Sequence, residues 1–270
     1  MYLQNLHTHS HFCDGADSPE EMICTAIEKG FDSIGFSGHS YMEFAKRFFK
    51  WGDKTEEYKT EITRLKEKYK GQINVFLGLE VEPYSKPDMS GYDYLIGSVH
   101  YFDFDGEYVG FDRSAAEVER IINCYFNGDG MAYAKRYYQD IAKLYTYGNF
   151  DIIGHFDLIT KHCEAHDFFD VESKKYLNYA FEAAAGLKGK IPFFEVNTGA
   201  IARGYRTAPY PSVPIIKELK RLGFGVVITS DCHHRNYVDC YFNETAELLK
   251  HCGFKEKYIL TESGFKAVAI

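Results

Sequence analysis

Histidines and carboxylates recur at matching places along this chain. The opening stretch MYLQNLHTHSHFCDG sets His7, His9 and His11 at alternate positions, with Asp14 just behind. In a strand, alternate residues share a face, so His7 and His9 present their rings side by side. Further along come His39, Glu80 and Glu82, His100, His155, Glu195 with Asn197, and Asp231 with His233. Imidazole and carboxylate without thiolate suit Zn²⁺, Mn²⁺ or Fe²⁺, and spacing alone does not choose among them. So many ligands exceed what one ion takes. They fit two or three ions, with a carboxylate such as Glu80 bridging. Two ions about 4 Å apart share a water, lower its pKa and clamp a phosphate for in-line attack.

These residues need elements that converge. Seven short β-branched or aromatic runs span 2–9, 33–39, 74–82, 94–102, 151–157, 192–199 and 225–233. Most are continuous rather than alternating, the pattern of strands buried on both faces of a parallel sheet. Helical stretches lie between them at 18–30, 55–71, 171–188 and 212–223, with two more between Ser114 and Tyr147 broken around FNGDG. The first has a full set of signals: Ser18 as N-cap, Pro19 in the first turn, Glu21 completing a capping box and Gly30 as the stop. Alternating strands and helices point to a doubly wound sheet or a βα barrel. The termini and the segment 101–115 are candidates for an eighth strand. Each run carries a potential ligand at its C-terminal end, the edge where barrels and doubly wound sheets assemble their sites.

Composition narrows the function classes. The 270 residues suit one large α/β domain, and a 45% hydrophobic content supplies a core. Acids outnumber bases by 39 to 31, and no basic block stands out, which argues against a nucleic-acid binder. The seven cysteines form no CxxC pair and are odd in number, as in a reduced, cytoplasmic protein without a disulfide framework. The first residues lack a secretion signal, and no apolar stretch approaches the roughly 20 residues of a membrane span.

The motifs HTH (7–9), SGHS (37–40), GLEVE (78–82), GSVH (97–100), GH (154–155) and SDCH (230–233) resemble, in content and order, those of the polymerase-and-histidinol-phosphatase (PHP) family. The resemblance covers nearly the whole chain. It implies a distorted, TIM-like (βα)₇ barrel, a single domain over 1–270, and a trinuclear metal site at the C-terminal ends of the strands. It is nearest to the histidinol-phosphate phosphatase branch. The chain holds little beyond the barrel, and EVNTGAIARGYRTAPYPS (195–212) and SDCHHRNY (230–237) look like that branch's substrate loops. By position, the resemblance implies one ion on His7, His9, Glu80 and Asp231, and a second on Glu80, His100 and His155. A third would take His39 and His233 with Asp14 or His11, of which Asp14 sits nearer the expected offset.

The expected reaction is hydrolysis of L-histidinol phosphate to L-histidinol and phosphate in histidine biosynthesis, with a metal-bridging hydroxide as nucleophile. Asp231 and His234 are the candidates for proton handling. Arg203, Arg206, Arg235, Ser40 and Glu82 are the candidates for contacting substrate, the arginines through bidentate donation to phosphate. Glu195 and Asn197 are expected to orient a ligating histidine. His162, His166 and His251 are expected on the surface. The partner is a small phosphorylated substrate rather than nucleic acid or membrane, and the protein a monomer or small homo-oligomer. Three other readings share the ligands: a phosphoesterase for nucleotides, phosphotyrosine or another monoester; a proofreading 3′–5′ exonuclease; and a non-enzymatic metal-binding module.

Overall fold

The computed structural model describes residues 2–49 and 52–270. Its strands and helices run in chain order as β1 (Gln4–Asn5), α1 (Pro19–Glu28), β2 (Ser33–Phe36), α2 (Thr55–Lys68), β3 (Asn74–Val81) and β4 (Tyr94–Gly97). A hairpin of β5 (Tyr101–Phe104) and β6 (Glu107–Gly110) leads into α3 (Ala115–Phe126) and α4 (Gly130–Ile141). Then come β7 (Ile152–Ile153), α5 (Lys174–Leu187), β8 (Phe193–Asn197), the single turn α6 (Gly199–Ala202), α7 (Val213–Leu222), β9 (Gly225–Thr229) and α8 (Phe242–His251). The last hairpin is β10 (Glu256–Thr261) with β11 (Gly264–Ala269).

Seven strands make one parallel sheet in the order β1-β2-β3-β4-β7-β8-β9. They coincide with the seven apolar runs. The sheet curls until its edges meet: Thr8 forms a parallel bridge to Cys232, and the His9 amide donates to the Cys232 carbonyl at 3.0 Å. The result is a nearly closed barrel. The segment 101–115 is no eighth barrel strand. It holds β5 and β6, which pair antiparallel with each other outside the barrel.

Local chemistry accounts for the helices. Ser18 and Glu21 form the reciprocal capping box of α1, and Gly30 follows at φ +74°, a conformation that favours glycine. Ser114, Asp129 and Ser173 cap α3, α4 and α5 through their side chains. No described helix is long and apolar enough to cross a membrane.

Inside the barrel, Leu6, Phe76, Tyr94, Ile96, Ile152 and Val227 pack into a core that Leu260 of β10 completes. The Tyr94 ring packs against β2 and β3, where a side chain on Gly35 or Gly78 would overlap it. Its hydroxyl donates to the Leu6 carbonyl. The final hairpin closes the end of the barrel opposite the ligand-bearing edge. There the Gln4 side chain donates to the Leu260 carbonyl (2.8 Å) and accepts from the Leu260 amide (2.7 Å).

Candidate metal centre

The open end of the barrel collects residues from six strand termini. His7 and His9 follow β1, Glu80 lies in β3, and Asp231 and His233 follow β9. His39, His100 and His155 lie in the loops after β2, β4 and β7. Their ligand atoms form four overlapping groups: His7 with His9 and Asp231; His7 with Glu80 and His155; His39 with Glu80 and His100; and His9 with Asp14, His39 and His233. Within each group the atoms lie within 4.8 Å of one another. Glu80 joins two of them, with Oε2 2.8 Å from His39 Nδ1 and Oε1 2.9 Å from His155 Nε2.

Asp14, not His11, enters the cluster. A turn over 11–14 swings Asp14 back until Oδ1 is 3.3 Å from His233 Nε2 and 3.5 Å from His9 Nδ1. His11 is exposed and rests its ring on Phe12. Asp231 holds its place in left-handed backbone, φ +44°, which asparagine and aspartate tolerate better than most residues.

The electrostatics favour cations. Burial opposes ionisation of Glu80, yet His7, His39 and His100 hold its carboxyl well below the usual range. The same contest keeps Asp231 ionised beside Arg203 and His7, and Asp14 ionised beside His233 and His39. Burial pushes His7 down, but the Glu195, Glu80 and Asp231 carboxylates outweigh it and raise the imidazole well above its ordinary value. His9 goes the other way, to about 3, through burial and the neighbouring His233 and His39. Nε2 of His7, Nε2 of His9, Oδ1 of Asp14 and Oε2 of Glu80 are buried beside one another and beside His39, His233 and Asp231, yet make no well-aligned hydrogen bond. Buried polar atoms in native proteins are normally paired, so these four fit ligands better than packing groups. Nitrogen and oxygen donors in tight, ionised groups suit a divalent ion. The nearest thiol, Cys13, contacts His9 at 3.5 Å, and burial lifts it to about 11, so it stays protonated.

Behind the ligands, Glu195 binds His7 Nδ1 at 2.8 Å and accepts from the His155 amide at 2.8 Å. Asn197 and Thr229 donate to the same carboxylate, each at 2.8 Å. Glu82 is buried beneath His100, accepting from its amide at 2.7 Å with the ring nitrogen 3.3 Å away. Ser40 bonds Ser85 and the Glu82 amide. Neither Glu82 nor Ser40 lines the cavity over the cluster.

That cavity has a volume of about 400 Å³. Arg203 lines it, with Nη1 2.9 Å from the Asp231 carbonyl and Nη2 3.1 Å from Asp231 Oδ2. Arg206 does not. Three residues on, past Gly204 in left-handed backbone, it turns to Thr160 (2.6 Å) and Glu164 (3.5 Å) on the far side of the loop. His234 and Arg235 also lie outside, on the surface beside Asp17 and Glu21. Asp112, Arg113, Lys161 and Tyr205, none of them singled out in the sequence, complete the wall together with apolar Met42 and Leu158. Lys161 pairs with Asp112 at 3.3 Å and sits over the Tyr205 ring at 4.8 Å. His162, expected on the surface, is buried against Tyr205 in a turn rather than a helix. His166 and His251 are exposed as expected.

Known proteins share the family and the fold of this chain. The PHP domain family matches residues 5–199. A probable histidinol-phosphatase of Schizosaccharomyces pombe is 26% identical over 278 residues, covering 92% of this chain and 86% of its own. One of Deinococcus radiodurans is 27% identical over 265 residues, covering 93% and 94%. Among solved structures, the histidinol phosphate phosphatase of Lactococcus lactis, in complex with zinc, L-histidinol and phosphate, superposes with a TM-score of 0.75. It is 21% identical and covers 98% of both chains, a likeness of fold.

Proposed function

Because this chain belongs to the PHP domain family, we propose that it is a metal-dependent phosphate monoester hydrolase that converts L-histidinol phosphate to L-histidinol and phosphate. One observation carries the chemical class: four overlapping imidazole–carboxylate groups floor a cavity whose wall bears Arg113, Lys161 and Arg203. The substrate follows from the relatives, which carry that activity in their names and match more than nine-tenths of this chain.

His7, His9, Glu80 and Asp231, with His100 and His155, and with Asp14, His39 and His233, would hold two to three divalent ions, zinc, manganese or iron. Such ions lower the pKa of water and neutralise phosphate oxygens. The chain's own residues do the rest. Arg203, fixed by Asp231 and beside His233, presents guanidinium donors to the phosphate, and Lys161 adds a second cation to the lining. Water adds to phosphorus, the bond from phosphorus to the alcohol oxygen breaks, and one water proton ends on that oxygen. Asp231, held ionised at the cavity floor, is the carboxylate that relays it. Leu158, Tyr205 and Met42 form the apolar part of the wall against the alcohol. We place the enzyme in the cytoplasm, acting as one domain on a small molecule. The test is phosphate release from L-histidinol phosphate, with p-nitrophenyl phosphate as the comparison; equal turnover of the two would reject the substrate assignment.

A further inference from the structure

A second cavity, of about 650 Å³, backs onto the first. Segments 157–164 and 203–207 form the partition between them. Leu158, Lys161, Arg203 and Tyr205 face the metal-ligand side, while Asp157, Thr160, Glu164 and Arg206 face the other. The second cavity therefore touches the reverse of the wall that carries the phosphate-facing cations.

Its inner end holds polar groups that the fold leaves unsatisfied. Asp157 is fully buried; Oδ2 accepts from the Ser212 amide at 2.9 Å, but Oδ1 has no hydrogen-bond partner. The nearest cation to it, Arg206 Nη1, is 3.9 Å away. Nε of Arg206 lies 3.5 Å from Glu164 Oε1 without an aligned hydrogen bond, and the Ser212 hydroxyl has none. Unpaired buried groups of this kind are rare in native proteins and need an explanation. Asp157, Glu164 and Glu172 face only one cation of the lining, Arg206. Val171, Leu177 and Pro214 supply an apolar side.

We infer that this cavity binds a small amino alcohol: an ammonium donating to Asp157 Oδ1, a hydroxyl oxygen accepting from Arg206 Nε, and an apolar arm against Val171 and Leu177. The excess of carboxylates selects a cation over an anion or a zwitterion. The product of the proposed reaction, L-histidinol, has that ammonium and hydroxyl, with the carbons of an imidazole ring to lie against the apolar side, and its use as the probe rests on that reading.

The experiment is equilibrium dialysis of zinc-loaded protein against labelled L-histidinol, on wild type, Asp157→Asn and Leu177→Trp. The first variant replaces the free acceptor with a donor. The second fills the cavity from a partly exposed helix position and stands if the first misfolds. Each variant that keeps the wild-type melting profile should bind one equivalent fewer than wild type and release phosphate unchanged. Excess ethanolamine should displace that equivalent, and acetate should not. Equal binding by wild type and the folded variants, or displacement by acetate, overturns the inference. Phosphate release is assayed separately on the same samples. Failure there rejects the proposed reaction alone, and hydrolysis without the extra equivalent rejects the second site alone.

Discussion

Nδ1 of His7 lies 2.8 Å from Oε2 of Glu195, and neither side chain reaches solvent. That contact fixes which nitrogen of His7 is left to point at Glu80 and Asp231. The same carboxylate holds the His155 backbone, so one buried acid aligns two histidines of the cluster that come from different strands.

Glu195→Gln keeps the volume and removes the charge. It should weaken metal binding by about 10–100-fold, the usual effect of losing a group that orients a ligating histidine. Competition against a chelator of known affinity measures this. Unchanged affinity would mean that packing alone sets the His7 ring.

Glu80 is shared by two of the ligand groups. Glu80→Ala should therefore lower the metal content by more than the loss of a single terminal ligand would, and abolish hydrolysis with it. Elemental analysis beside the activity assay checks both. Activity retained at wild-type level would rule out a shared role.

Lys257 of β10 is buried, and burial, only partly offset by Asp32, lowers its ammonium from 10.5 to about 8. The unfolded chain then holds a proton that the folded chain has released between those values. Stability contributed by this group must rise with pH across that window, by roughly 3 kcal/mol at most. Urea unfolding at pH 7 and pH 10 should show the rise in wild type and a smaller one in Lys257→Met. The same pH dependence in both would contradict the assignment.

Gln4 ties β1 to the last hairpin through two bonds to the Leu260 backbone. Gln4→Ala leaves that amide and carbonyl unpaired in a buried place, at a cost of about 2–4 kcal/mol. Chemical denaturation should show it. A loss under about 0.5 kcal/mol, the size of an ordinary surface substitution, would mean that water or a rearranged hairpin replaces the bonds.

The strands were legible because most are continuous apolar runs, and the clustered imidazoles and carboxylates because they sit at the ends of those runs. The side on which a loop residue emerges was not legible. Arg203 and Arg206 look equivalent in ARGYR, yet α6 and the left-handed Gly204 send one to the metal ligands and the other to Asp157. Lys161 and Asp112 escaped notice because their meeting depends on two loops 49 residues apart. The hairpin 256–269 carries no chemistry, and the strands expected of a terminus pair with each other rather than joining the barrel sheet. Its role in closing the barrel lies in contacts with Gln4 and Phe193, at the far end of the strands. Asp14 was distinguished from His11 only by its offset, and the turn over 11–14 supplies the physical reason.

The most direct test of the account is phosphate release from L-histidinol phosphate by protein loaded with zinc, manganese or iron, before and after chelation. Steady release is expected, abolished by chelation and restored by added metal. Absence of release from every metal-loaded form, or release that persists with the metal removed, would contradict it.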